Sequence, residues 1–142
     1  GISSKKIEGD KKTPKGTFSI GHLFYRSDKF KKIETKLKKI KIKKNMGWCD
    51  DPHHKNYNRL IKTNNKIKHE KLFRKDSAYD LLVPINYNYP KAKKNKGSAI
   101  FIHVAKKNFR KTEGCVAIRK FELLKIVREL KINTKVKIFS QK

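Results

Sequence analysis

A chain of 142 residues with 39 Lys and Arg against 12 Asp and Glu carries a formal net charge of +27, yet 36% of its residues are hydrophobic. That length and apolar content suit one domain, residues 1–142, burying about two-thirds of its unfolded surface in one core. No stretch approaches the roughly 20 apolar residues of a membrane span, and two cysteines exclude a disulfide framework or a zinc-ligand spacing.

The charge asks for an anionic partner: nucleic acid, anionic lipid or an acidic cell-wall polymer. It is nearly all lysine, the arginines being Arg26, Arg59, Arg74, Arg110, Arg119 and Arg128. Base readers favour the planar guanidinium fork, so no specific nucleic acid is expected. An AT-rich coding bias explains the same lysine excess equally well. The start at Gly1 rather than at a methionine leaves export open.

In chain order, Pro14-Lys15-Gly16 is a turn former, and Gly16–Tyr25 reads as a strand; His22 within it reads as structural. The basic block Lys29–Lys44 ends in an alternation of lysine with Ile40 and Ile42, which suits an exposed strand and a solvated face. "GWCDDPHH" (Gly47–His54) sets Cys49, Asp50, Asp51, His53 and His54 side by side. All are metal-ligand types, but adjacent ligands rarely turn toward one ion and no distant partner set accompanies them, so no metal is expected. A turn built on Asp51-Pro52 is the plainer reading. "HEKLFR" offers His69, Glu70 and Arg74, with Arg74 open either to a substrate carboxylate or to surface ion pairing. The apolar run Tyr79–Asn88 contains Pro84, which argues for an edge strand or a bulge; its Tyr87 offers a hydroxyl to a site or a ring to the core. "SAIFIHVA" and "CVAI" are further strands. Phe121, Leu124, Val127 and Leu130 at steps of three mark a helix stripe, Asn133 a stop, and Thr134–Phe139 a closing strand. Several strands with one late helix make a β-rich α+β domain.

One spacing carries chemistry. His103 closes the strand "AIFIH", and Cys115 opens the strand "CVAI" twelve positions later. Adjacent strands would bring imidazole and thiol together, the first lowering the thiol's pKa and taking its proton. Gly114, lacking a Cβ, would let a carbonyl substrate approach, and the N–H groups around Gly114 and Cys115 would stabilise an oxyanion. A lone cysteine beside Val116-Ala117-Ile118 equally reads as a small buried hydrophobe.

"GDKKTPKGTF" (Gly9–Phe18), "IFIH" (Ile100–His103) and "TEGCVAI" (Thr112–Ile118), in that order, resemble the YkuD family of L,D-transpeptidases; "GWCDDP" and "HEKLFR" resemble its small exported members. The resemblance spans Gly9 to about Phe139 and implies a mixed β-sheet or sandwich catalytic domain acting on peptidoglycan in the periplasm or cell wall, without metal or cofactor. It further implies Cys115 as nucleophile and His103 as general base and acid. D-alanine would leave a stem tetrapeptide, and the thioester would pass to an amine, giving a 3–3 cross-link, or to water, as in an L,D-carboxypeptidase. Asp50 and Asp51 would then sit near the substrate cleft and receive an ammonium group. The chain departs from the Ser-His-Gly-Cys pattern of better-known members: Glu113 replaces the histidine, Ala117 stands where an arginine is expected, and Arg119 is the nearest substitute cation. The loop from His103 to Cys115 is also shorter. A Cys49–Cys115 disulfide would silence the nucleophile, so Cys115 is expected free. Against the enzyme stands a polyanion-binding module, although Trp48, Tyr57 and Tyr89 are not interleaved with the basic runs. Oligomeric state is not legible in the sequence.

Overall fold

The computed structural model describes residues 1–63, 66–107 and 112–141. Twelve short strands and one helix follow in order: β1 (Ile2–Ser3), β2 (Thr13–Pro14), β3 (Gly16–Ser19), β4 (Leu23–Tyr25), β5 (Lys39–Lys41), β6 (Met46–Cys49), β7 (Leu60–Lys62), β8 (His69–Lys71), β9 (Leu81–Pro84), β10 (Phe101–Val104), β11 (Val116–Ile118), α1 (Lys120–Glu129) and β12 (Lys135–Ile138). This is a β-rich α+β fold. Its centre is a five-stranded mixed sheet, β11-β10-β9-β4-β5, in which β10 runs parallel to β11 and antiparallel to β9. A second sheet, β7-β6-β8, is antiparallel, and β12 pairs with β3.

Strand alternation sorts the central sheet into two faces. Leu81, Val83, Ile100, Ile102 and Val104 join Leu123, Val127 and Leu130 of the helix in one cluster. Leu82 and Phe101 point the other way, into a cluster with Phe24, Trp48, Leu72 and Tyr79. All four residues of β9 and of β10 are buried, which is why both read as unbroken apolar runs. Burying one such leucine contributes about 2 kcal/mol. His103, next but one to Phe101, shares the second face.

Four expectations need correction. Gly16–Tyr25 is two strands in two sheets, β3 and β4, separated where the Gly21 N–H donates to the Pro84 carbonyl at 2.8 Å. Pro84 lies on a central strand, not an edge. The Ile85 N–H bonds Ile100 on β10, so by alternation position 84 faces β4. There the register slips by one residue between the Phe24↔Leu82 pair and the Ile20↔Ile85 bridge. The missing proline N–H therefore falls where the ladder is already broken, as at a bulge. The helix buries Leu123, Val127 and Leu130 rather than a stripe at steps of three, and Phe121 is 76% exposed. Steps of three lose about 60° each against the 3.6-residue turn, whereas i, i+4, i+7 stays on one face. Finally, α1 stops at Leu130, which turns extended while its N–H still bonds Ile126; Asn133 lies in the turn beyond.

The Lys29–Lys44 block ends in edge strand β5, with Lys39 and Lys41 exposed, Ile40 half-buried and Ile42 buried. Lysines on an open edge discourage strand addition by another chain. No helix among the described residues is long and apolar enough to cross a membrane.

Candidate active site

A cleft of about 460 Å³ opens beside β10 and is lined by His103, Cys115, Tyr79, Arg74, Glu70, Glu8 and Ser98, among others. Ile102 pairs with Val116 and His103 with Ala117, so parallel pairing, one step earlier, sets Cys115 beside Phe101. The Phe101 N–H donates to the Cys115 Sγ at 3.4 Å, and the thiol donates to the Ala99 carbonyl at 3.2 Å. Burial pushes this thiol up to about 12, so the resting sulfur is protonated.

His103 is buried, and burial lowers its pKa from the ordinary histidine value. Its Nδ1 lies 2.9 Å from the Val104 carbonyl. A carbonyl only accepts, so Nδ1 carries the proton and Nε2 keeps its lone pair. The Tyr79 ring meets the imidazole edge-on at 5.5 Å and fixes its plane. His103 and Cys115 thus sit neutral on neighbouring strands of one cleft, the thiol bonded to backbone rather than to the imidazole.

Lys6, Glu8, Gly9 and Lys11, around the start of the Gly9–Phe18 motif, form one wall. Asp10 Oδ1 accepts from Lys6 Nζ at 2.8 Å and from the Lys12 N–H, and Oδ2 accepts from the Ile7 N–H. Burial alone would raise its carboxyl; the Lys6 ammonium and the two N–H groups outweigh that and hold it at about 2. Lys6, 6% exposed, has its charge matched there. Glu8 accepts from the Tyr57 hydroxyl at 2.6 Å and from Ser98 Oγ. Gly114 has φ +106°, and a Cβ on it would lie 2.6 Å from the Lys12 carbonyl oxygen. The room that glycine provides is thus filled by the chain's own backbone, not held open for a substrate carbonyl. Across the cleft, Arg74 bonds Asp76 at 2.6 Å and Glu70 at 3.2 Å, and Tyr79 donates to Glu70 at 2.8 Å. The hydrogen bond from Arg74 is the main reason the Asp76 carboxyl is held at about 2.

Residues 1–138 match the family model YkuD, the L,D-transpeptidase catalytic domain. The chain belongs to the YkuD family. No curated protein and no solved structure matches it. The family makes this an L,D-transpeptidase-type enzyme with a peptidoglycan-related function.

Not every residue singled out in the sequence reaches the cleft of this YkuD domain. His103, Cys115, Arg74 and Glu113 line it; Gly114 packs behind. Arg74 is already engaged by Glu70 and Asp76. Asp51 accepts from the His53 N–H at 2.9 Å in a local turn, the plainer reading of "GWCDDP". Asp50 is half-buried behind the wall, its carboxyl raised by burial, with Oδ1 lacking a hydrogen-bond partner among the described residues. His69 on β8 bonds the Ile67 carbonyl at 2.6 Å. Tyr87 donates to Lys96 O at 2.6 Å and packs edge-on to Phe18. Arg119 is the exposed residue that leads into α1, outside the cleft lining. Neither Cys49, fully buried, nor Cys115 is in a disulfide. Among the described residues no cluster of His, Cys, Asp or Glu gathers as a metal site. Arg110 and its neighbours at 108–111 lie outside the described residues.

Lys6, Glu8, Tyr79 and Ser98 were not anticipated. Glu8 stands next to the Gly9-Asp10 motif and Ser98 opens the segment that leads into β10, so proximity to motifs was a usable signal. Lys6 among so many lysines offered none.

Proposed function

We propose that the protein is a cysteine L,D-transpeptidase of peptidoglycan stem peptides working through a Cys115 thioester, with His103 as general base and acid. The observation that carries this reading is the His103 tautomer: Nδ1–H is committed to the Val104 carbonyl, which leaves Nε2 as a proton acceptor in the cleft that also holds the thiol. A substrate entering the cleft draws the thiol away from the Ala99 carbonyl. Nε2 takes its proton as the sulfur attacks the carbonyl of the third stem residue, meso-diaminopimelate or its equivalent. The tetrahedral intermediate collapses when the imidazolium returns that proton to the departing D-alanine nitrogen, leaving a thioester. An acceptor amine then attacks, His103 takes the amine proton, and the C–S bond breaks to give a 3–3 linkage and a thiolate that is reprotonated. Water in place of the amine gives the carboxypeptidase outcome. The acidic wall polymer and the cationic surface suit each other, and the place of work is the periplasm or cell wall.

Incubation with tetrapeptide muropeptides tests this. D-alanine release that Cys115→Ala abolishes and His103→Gln cuts by at least about 100-fold is expected. Release by Cys115→Ala at the parent rate would end the proposal. Mass spectrometry of the products, dimers against shortened monomers, separates transfer from hydrolysis.

A further inference from the structure

Three consecutive residues that line or border the cleft are each held by a side chain distant in sequence, those of Tyr57 and Asn58 from outside the cleft lining. The Gly97 N–H donates to the Tyr57 hydroxyl at 3.0 Å, Ser98 Oγ donates to Glu8, and the Ala99 N–H donates to Asn58 Oδ1 at 3.1 Å. Ala99 is the informative one. It has φ +54°, a left-handed conformation that a residue with a Cβ adopts only when its surroundings enforce it. Its carbonyl is the group that accepts the Cys115 thiol.

Asn58 itself is 3% exposed and sits at φ +59°. Its side chain makes four bonds: Oδ1 accepts from Trp48 Nε1 at 2.8 Å and from Ala99, and Nδ2 donates to the carbonyls of Tyr87 and Asn88 at 2.9 and 2.8 Å. A buried carboxamide with every partner satisfied has one orientation open to it. That orientation fixes the Ser98–Ala99 peptide unit; the Ala99 carbonyl belongs to the next unit, which the enforced φ of Ala99 turns toward the sulfur.

We propose that Asn58 is a positioning residue for Cys115, acting through Ala99 to hold the thiol in its resting place in the cleft. The inference rests on the reading of Cys115 as the nucleophile for its bearing on turnover, but not for its bearing on the thiol. Asn58→Gly removes the clamp while tolerating the positive φ. Burial still favours the S–H, but the loss of its acceptor removes one support, while the Phe101 N–H continues to support the thiolate.

The experiment is the pH dependence of iodoacetamide alkylation at Cys115, read by peptide mapping so that buried Cys49 does not contribute, at a temperature where each variant is folded. Asn58→Gly is expected to lower the midpoint by about one unit, so alkylation below it runs about tenfold faster. On stem peptides the thiol leaves the Ala99 carbonyl before it attacks, so kcat is not expected to fall. Trp48→Phe removes another bond to the same oxygen without touching Ala99, and Asn58→Asp keeps an oxygen acceptor for the Ala99 N–H. Neither is expected to lower the midpoint. If Asn58→Gly does not fold, Asn58→Asp decides: a lowered midpoint refutes the clamp, and a held or raised one supports it. Equal profiles for parent and Asn58→Gly, or equal shifts in all three variants, overturn the proposal. A protein that never releases D-alanine but shows the selective shift retains the clamp and loses the proposed activity.

Discussion

Gly114→Ala tests whether the two sequence motifs at the cleft are held together as tightly as the coordinates indicate. The backbone at φ +106° is unfavourable for alanine by about 1–3 kcal/mol. The new methyl would also lie 2.6 Å from the Lys12 carbonyl oxygen, where ordinary contact begins near 3.4 Å. Relief requires a shift of most of an ångström in a segment anchored by the bonds from Lys12 to Asp10 and from the Thr13 N–H to the Gly1 carbonyl. Overpacking of this kind costs a further 1–3 kcal/mol or so, giving about 4 kcal/mol together and a melting temperature lower by roughly 12 °C. Urea unfolding of parent and variant measures it. Gly9→Ala is the internal comparison: φ is +78°, but nothing lies within 4 Å of its Cβ position, so it carries only the backbone part. A Gly114→Ala loss under about 1 kcal/mol at unchanged m-value, or one no larger than that of Gly9→Ala, would refute the argued contact.

Three other outcomes follow from the same coordinates. The kcat/KM for D-alanine release should rise with pH through a midpoint below 6.5, as buried His103 loses its proton, and then stay level through about pH 9; a second rise near 8.5 would mean that the thiol ionises on its own, against its raised value. Asp10→Asn should cost about 2 kcal/mol or more, because Lys6 loses its buried partner. Since the folded Asp10 carboxyl is held at about 2 against 3.8 unfolded, that contribution is complete above pH 4 and is lost as pH falls through 2, which an acid titration of stability in parent and Asp10→Asn will show. Leu123→Ala should lose about 2–4 kcal/mol in urea unfolding while Phe121→Ala changes little, since the first is fully buried and the second 76% exposed.

What the sequence made legible was whatever a local pattern could encode. The doubly buried strands β9 and β10 appear as apolar runs, the edge strand β5 as alternation with lysine, and the candidate site as a Gly-Cys pair after a histidine on an apolar run. What it hid was set by partners far along the chain. Nothing near Gly21 announces that Pro84 will meet it and divide one apolar run between two sheets. The helix stripe went wrong because four apolar residues at steps of three look periodic, although Leu123, outside that series, is the one that is fully buried. At the site, Cys115 and His103 were found because their residue types are chemically rare in this chain. Asn58 and Lys6 belong to abundant types and Glu8 to none of the chemistry-bearing spacings, and their importance arises only from burial and from bonds spanning up to 90 residues.

Burial and the Ala99 carbonyl give the sulfur a quiet idle state. Peroxide, disulfides and small electrophiles attack thiolates far faster than thiols, so a cysteine stored with its proton is poor prey for all of them. On the proposed mechanism, such an enzyme waits among oxidants and acts only on a molecule that fills the cleft and brings the imidazole into play. On that mechanism, inhibitors built on intrinsic reactivity alone find little to react with, whereas those that mimic the fit of a stem peptide wake the thiol they are meant to trap.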